Sequence, residues 1–135
     1  MLVLDASVAL AWCFEDESSA VADRALDRVV AEVAVVPAIW PLEMANALRS
    51  AERRGRLTFA DQARLRELLM ALPIVVEPLD LAGALGEVSE VARAADLSAY
   101  DAAYLALAAR RALPLATTDE RLARACVAAG VQLAD

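Results

Sequence analysis

The sequence predicts an α/β fold in which a parallel sheet of about five strands lies between two helical layers, a three-layer α/β/α arrangement. Short apolar runs alternate along the chain with longer segments of helical periodicity, which is typical of parallel strands joined by right-handed crossovers. The chain has 135 residues, 60% of them hydrophobic, and contains no repeat or linker-like stretch. We therefore expect residues 1–135 to form a single domain.

The first strand is predicted from Leu2 to Leu4, an apolar run that leads directly into Asp5. Such a short apolar run fits a buried central strand better than a surface helix. Open α/β sheets bind ligands at the carboxyl ends of their strands, so Asp5 lies where a functional side chain is expected. The alternative is that Asp5 only caps the helix that begins near Ala6.

The remaining elements continue this alternation. Further strands are predicted at 33–36, 74–76, 114–117 and 131–133, and helices at about 16–29, 40–54, 58–72, 80–94, 98–112 and 119–129. Pro41 suits the first turn of its helix, and Gly55 suits the end of that helix. Capping-box patterns at Thr58 and Ser98 mark the beginnings of two other helices.

Composition excludes several kinds of catalysis. The chain has no histidine, which excludes histidine acid–base catalysis, Ser–His and Cys–His pairs, and imidazole zinc sites. It also has no lysine, which argues against a phosphoacceptor domain or phosphohydrolase that pairs a nucleophilic aspartate with lysine. Cys13 and Cys126 lie far apart, which indicates reduced thiols in a cytoplasmic protein. We expect neither a signal peptide nor a membrane span.

The formal net charge of −7 argues against passive binding of nucleic acid. It does not exclude a nucleic-acid enzyme whose metal ions supply the missing positive charge. Four arginines near the end of one predicted helix are candidates for binding RNA phosphates, namely Arg49, Arg53, Arg54 and Arg56. The alternative is that they only favour the helix macrodipole and solubility.

Four carboxylates occupy equivalent places in the predicted fold, where strands end or helices begin: Asp5, Glu43, Asp101 and Asp119. All should therefore meet at one edge of the sheet. Each one alone could be a simple cap or a favourable charge at a helix N-terminus. Together in a dry pocket, however, they would repel each other and take up protons unless a cation were present. Oxygen ligands without histidine or thiolate favour Mg²⁺ or Mn²⁺ over zinc.

Four segments stand in a characteristic order and spacing: 3–9 (VLDASVA), 43–48 (EMANAL), 100–108 (YDAAYLALA) and 117–122 (TTDERL). With these segments the whole chain resembles the PIN domain family and, more narrowly, the VapC-type toxins of bacterial toxin–antitoxin pairs. The resemblance implies an endoribonuclease that depends on Mg²⁺, with Mn²⁺ as a substitute. Such an enzyme hydrolyses RNA phosphodiester bonds with a metal-activated water and is inhibited by a cognate, VapB-like antitoxin.

The resemblance also implies roles for seven residues: metal binding and catalysis for Asp5, Glu43, Asp101 and Asp119, and support of the site for Ser7, Asn46 and Thr117. We expect Asp5 and Asp101 to bind the ion directly. Glu43 and Asp119 could bind it directly or through water, and the site could hold one ion or two. For Asn46 the alternative is an ordinary polar residue on a solvated face.

The apolar excess and the resemblance together predict a homodimer. We also expect the antitoxin to bind a groove formed by two helices between Trp40 and Leu72, with Leu57, Phe59 and Leu68 exposed there. A basic side chain of the antitoxin would enter the acidic cluster. A rival interpretation is a catalytically silent PIN-like module that binds RNA or protein.

Overall fold

Four parallel strands form the centre of the computed structural model, which describes residues 1–134. They are β1 (Leu2–Leu4), β2 (Ala34–Pro37), β3 (Ile74–Glu77) and β4 (Leu115–Ala116), in the order β3-β2-β1-β4. The register pairs Leu2 with Ala34 on one side of β1 and Val3 with Leu115 on the other. The buried central position predicted for the first strand is therefore confirmed, and so is the α/β class.

The predicted fifth strand at 131–133 is reduced to an isolated bridge between Leu115 and Leu133. The backbone N–H of Leu115 donates to the carbonyl of Gln132 at 2.9 Å, and that of Ala134 donates to the carbonyl of Leu115 at 2.9 Å. Because β4 has only two residues, it is too short an edge for this segment to extend into a regular ladder.

Eight α-helices surround the sheet in the described part of the chain: α1 (Ala6–Cys13), α2 (Ala20–Ala31), α3 (Trp40–Arg53), α4 (Phe59–Ala71), α5 (Leu81–Gly83), α6 (Ser89–Ala95), α7 (Ala99–Arg111) and α8 (Glu120–Ala128). A 3₁₀ turn spans Glu15–Glu17, and a π-helical turn at Ala84–Val88 joins α5 to α6. The helix predicted from residue 16 begins later, because the Ser19 hydroxyl accepts from the Ala22 amide at 3.1 Å and caps α2.

The two capping-box patterns have different outcomes. At the start of α4 the Thr58 hydroxyl accepts from the Asp61 amide at 3.1 Å, and the Asp61 carboxylate accepts from the Thr58 amide at 3.0 Å. At the start of α7 the Ser98 hydroxyl accepts from the Asp101 amide at 3.1 Å. Within residues 1–134 no return hydrogen bond runs from the Ser98 backbone amide to the Asp101 carboxylate, so this carboxylate does not close a capping box.

Helix α7 packs against the middle of the sheet, and its residues from Ala102 to Ala108 are all buried. Its small side chains allow close approach to β1 and β2. The main core lies between the sheet and α1, α2, α7 and α8. No helix in the part of the chain that the structure describes is long and apolar enough to cross a membrane.

Helices α3 and α4 enclose an open groove of about 670 Å³. Of the three apolar residues predicted to be exposed there, only Phe59 lines it. Leu57 is half-buried, because it packs inward against the small cluster of Phe14, Leu48 and Ala51. Leu68 is exposed, but it lies outside the groove lining.

Candidate active site

Asp5 follows β1 and is the centre of a hydrogen-bond network. Its backbone N–H donates to the Ala116 carbonyl of β4 at 3.0 Å. Its Oδ2 accepts from the Ser7 hydroxyl at 2.6 Å and from the Thr117 hydroxyl at 2.7 Å. Although Asp5 occupies the N-cap position of α1, its side chain makes no capping hydrogen bond. Two hydroxyls, and not the helix end, therefore orient this buried carboxylate.

The same two hydroxyls connect the start of α1 with the turn between β4 and α8. Ser7 Oγ accepts from the Thr118 amide at 3.1 Å, and Thr117 Oγ1 accepts from the Asp119 amide at 3.0 Å. Each hydroxyl thus donates to Asp5 and accepts from the backbone of the turn. This double use of both oxygens gives the site a rigid frame.

Glu43 lies in the first turn of α3 and is half-buried. Its Oε1 accepts a hydrogen bond from the hydroxyl of Tyr104, a fully buried residue of α7. Sequence reasoning missed Tyr104, although a tyrosine among buried alanines and leucines needs a polar partner for its hydroxyl. Asn46, one helical turn after Glu43, is exposed.

Asp119 caps α8 through Oδ1, which accepts from the amides of Arg121 at 2.9 Å and Leu122 at 3.1 Å. Asp119 therefore caps a helix, as the alternative interpretation predicted. The cap uses only one of its two carboxylate oxygens. Asp101 is half-buried at the start of α7, whereas Asp119 is exposed. Both side chains can therefore turn more freely than the buried Asp5.

Three of the four acids have raised pKa values, and the charges of neighbouring acids contribute to each rise. Burial raises the pKa of Asp5 above its ordinary value of 3.8, and the charge of Asp119 adds to this rise. Burial also raises the pKa of Glu43 above 4.5, with Asp5 and Asp101 adding to it. For Asp101 burial again comes first, Asp119 and Asp5 add, and the nearby Arg121 opposes the rise in pKa. The structure thus brings the four predicted acids into one electrostatic cluster.

Across residues 1–134 no group of three aspartate, glutamate or cysteine side chains is arranged to hold a metal ion as it stands. The donor set nevertheless suits a hard divalent cation, because it consists of carboxylate oxygens. A cation would also offset the repulsion that adds to the effect of burial on the three pKa values. The chemistry of the cluster therefore fits a divalent cation.

The predicted RNA-binding arginines have different surroundings. Arg56 donates to both carboxylate oxygens of Asp16, at 2.8 and 3.0 Å, and its guanidinium lies 4.4 Å from the ring centroid of Phe14. Its main contacts are therefore within the fold. Arg49 pairs with a glutamate of its own helix at 2.9 Å. The remaining two predicted arginines, Arg53 and Arg54, are exposed at the end of α3.

A parallel α/β sheet with a histidine-free acidic cluster at its carboxyl edge defines the class of this protein as a PIN-like domain. The family model described as PIN domain matches residues 2–128. The chain belongs to the PIN domain family, and the predicted resemblance is confirmed.

Proteins similar to this chain carry names that agree with this membership. It is 36% identical over 122 residues to VapC ribonuclease Mb0985 of Mycobacterium bovis, across 90% of this chain and 88% of that protein. The same identity and coverage relate it to Ribonuclease VapC9 of Mycobacterium tuberculosis. The crystal structure of PAE2754 from Pyrobaculum aerophilum is similar with a TM-score of 0.68 and 28% identity, over 92% of this chain and 78% of that one.

Proposed function

We propose that this chain is the endoribonuclease toxin of a toxin–antitoxin pair, a hydrolase that cleaves RNA phosphodiester bonds with the help of a divalent cation. The observation that carries the proposal is the cluster of four acids at the edge of the sheet, in a chain of the PIN domain family. The similarity to proteins named VapC ribonucleases supports RNA as the substrate and a VapB-like antitoxin as the partner. Residues 1–135 would act as one domain in the cytoplasm.

Asp5, Glu43, Asp101 and Asp119 are proposed to hold the cation, with Mg²⁺ as the physiological ion and Mn²⁺ as a substitute. When bound, such an ion supplies Lewis-acid activation of water and neutralises charge that develops on the phosphate. The residues of the chain keep the donor oxygens in place. Ser7 and Thr117 both bind Oδ2 of Asp5, which orients Oδ1 of that carboxylate away from the hydroxyl pair.

Positive charge for the RNA backbone is exposed at the far end of the helix that carries Glu43. Arg53 and Arg54 are exposed at the end of α3, the helix that carries Glu43. Phosphate contacts of this kind position a nucleic acid without reading its sequence. Support of the site by Asn46 stays a prediction, since its side chain is exposed.

The test is incubation of the purified protein with total RNA, with Mg²⁺, with Mn²⁺ or with chelator, followed by mapping of new RNA ends. We expect cleavage only with the cations. Asp5→Asn and Asp101→Asn should each lower the rate by about 100-fold or more, the scale expected when a group essential to activating water is lost. Asp27→Asn, at an exposed position on α2, is the matched control and should cleave normally. Wild-type rates for Asp5→Asn would contradict the proposal.

One observation favours a second function, a silent module that binds RNA or protein. Within residues 1–134 the acids are not arranged to hold an ion as they stand. A silent module would shift RNA in a gel without producing new ends at any cation concentration. The cleavage assay therefore separates the two functions directly.

A further inference from the structure

We infer that Tyr104 is a positioning residue for Glu43: its hydroxyl fixes one carboxylate oxygen and leaves the other to face the acidic cluster. This inference rests on the proposed function, because it gives Tyr104 a part in building the cation site. Within residues 1–134, Glu43 is the one predicted site residue to which the Tyr104 side chain forms a hydrogen bond.

The contact is built into the core and is not a surface coincidence. Tyr104 has a relative exposure of 0%, and its hydroxyl donates to Glu43 Oε1 across 61 positions of sequence. A buried phenol hydroxyl has one proton to donate, so a single acceptor determines its direction. The ring is held by the packing of α7 against the sheet, which transfers the rigidity of the core to the Glu43 carboxylate.

Tyr104 also connects two of the acids. Its hydroxyl donates to Glu43 in the first turn of α3. Asp101 lies on the same helix as Tyr104, one turn earlier. One tyrosine thus links the start of α3 with the helix that carries Asp101.

The chemistry of the contact agrees with this role. A phenol hydroxyl can donate its proton to a carboxylate oxygen, as Tyr104 does to Glu43. A donor of this kind favours the ionised carboxylate, which is the form that binds a cation.

The decisive variant is Tyr104→Phe, which keeps the ring and removes only the oxygen. We expect Mn²⁺ affinity, measured on the RNA-free protein by calorimetry or electron paramagnetic resonance, to fall about 10-fold, as is typical when a residue supporting a metal ligand is lost. RNA cleavage at limiting Mn²⁺ should fall with it and recover partly at high Mn²⁺. Ser18→Ala is the control, since it also removes one hydroxyl, but from an exposed side chain just after the 3₁₀ turn, and it should leave both quantities unchanged.

A second comparison separates positioning from mere packing. In a Glu43→Gln background, Tyr104→Phe should cause no further loss of Mn²⁺ affinity, because its effect passes through the Glu43 charge. Wild-type affinity in Tyr104→Phe, or an equal loss in both backgrounds, would overturn the inference. If Tyr104→Phe does not fold in chelator, the NMR resonance of the Tyr104 hydroxyl proton in the wild type replaces it. That resonance should shift with Mg²⁺ and in Glu43→Gln, and a resonance that does neither overturns the inference.

The outcomes also distinguish this inference from the proposed function. A wild-type protein that binds no Mn²⁺ and cleaves no RNA defeats both. A wild-type protein that binds and cleaves, with a Tyr104→Phe variant that matches it, defeats only the role of Tyr104.

Discussion

Each of the two most buried acids of the cluster receives its hydrogen bonds from neutral hydroxyls. Asp5 has Ser7 and Thr117, and Glu43 has Tyr104. Within residues 1–134 no arginine forms a salt bridge with either acid, and Arg121, whose charge acts on Asp101, binds Asp96. Hydroxyl donors favour the ionised carboxylates without cancelling their charge. The site therefore keeps a negative charge that a mobile cation can neutralise.

The raised pKa values predict how the metal-free protein responds to pH. Because the folded state holds protons on Asp5, Glu43 and Asp101 more tightly than the unfolded chain does, these groups stabilise the fold fully only below their ordinary pKa values of 3.8 and 4.5. That contribution is lost as the pH rises through the raised values. In thermal melts with chelator, the melting temperature of Asp5→Asn should fall less than that of the wild type as the pH is raised from acidic to neutral.

Added Mg²⁺ should counteract the loss of stability that the metal-free protein undergoes as the pH rises. It should raise the melting temperature most at neutral pH, because protons compete with the cation at lower pH. Asp27→Asn serves again as the control and should follow the wild type. Parallel pH curves for Asp5→Asn and the wild type in chelator would contradict the raised pKa of Asp5, which burial and the charge of Asp119 cause.

Sequence reasoning located the acids but not all of their partners. The position of Asp5 follows from a local rule, an apolar strand that ends in a carboxylate. The hydrogen bond between Tyr104 and Glu43 follows from no local rule, because it joins residues 61 positions apart. Which buried hydroxyl meets which acid depends on how α3 and α7 pack, and that packing leaves no periodic signal in the sequence.

At the scale of elements, local signals also predicted some boundaries and missed others. The capping box at Thr58 predicted the start of α4, because its donors and acceptors lie within one turn. The π-helical turn at Ala84–Val88 was not predicted, since one extra residue in a turn hardly changes an apolar pattern. The turn before it is tight: a Cβ on Gly83 would lie 3.0 Å from Leu79 Cδ1. The segment at 131–133 does not form a regular strand because its partner strand, β4, is short. The length of β4 depends on tertiary packing and not on the local sequence of 131–133.

Helix α4 has no fully buried residue, and three of its large apolar side chains lie on the groove shared with α3. Trp40, Met44, Phe59, Leu69 and Met70 line this groove. The indole N–H of Trp40 is buried without a hydrogen-bond partner within residues 1–134. Glu43 lies on the same helix between Trp40 and Met44. The groove therefore offers apolar contact to an amphipathic segment, on the helix that also carries Glu43.

A groove variant tests whether the antitoxin binds here. Phe59→Ser should leave stability within about 0.5 kcal/mol of the wild type, because Phe59 is 76% exposed. It should weaken binding of the antitoxin encoded beside the gene by about 10-fold or more, as expected for the loss of an aromatic anchor. Leu68→Ser is the matched control, since Leu68 lies on the same helix, is 59% exposed and is not part of the groove lining.

Calorimetric titration of both variants gives the comparison. If Leu68→Ser weakens the antitoxin as much as Phe59→Ser does, the groove is not the binding surface. A basic side chain that the antitoxin places among the acids should make a second contribution to the binding free energy. Titration of Asp5→Asn should then show weaker binding even though its groove is intact.

At the scale of the whole molecule, a second apolar surface lies away from the groove. Leu79, Ala84 and Tyr100 line a hollow of about 320 Å³ between the π-helical turn and the start of α7. Leu81 and Leu85, on the same helical segment, are 74% and 71% exposed. Exposed apolar side chains of this size contribute to the high hydrophobic fraction of the sequence, and together they indicate a surface for a partner.

We propose that the predicted homodimer forms through this second surface. A stable dimer should bury well over about 1,000 Å² in total, and an isologous contact would use the same residues from both copies. Leu85→Glu would bring two like charges into such a contact and should convert the dimer to a monomer at micromolar concentration. Its melting temperature in the monomeric state should change little, because Leu85 packs against little of its own chain.

Sedimentation velocity checks this prediction, with Val30→Glu on α2 as the control, since Val30 is an apolar residue with a comparable 66% exposure. We expect Val30→Glu to remain a dimer. Tyr100 lines the second surface and directly precedes Asp101, so dimerisation would also cover one side of the acidic cluster. The monomeric Leu85→Glu variant should therefore cleave RNA less efficiently than the control at equal cation concentration. A wild-type protein that sediments as a monomer with full activity would show that the exposed leucines serve another partner.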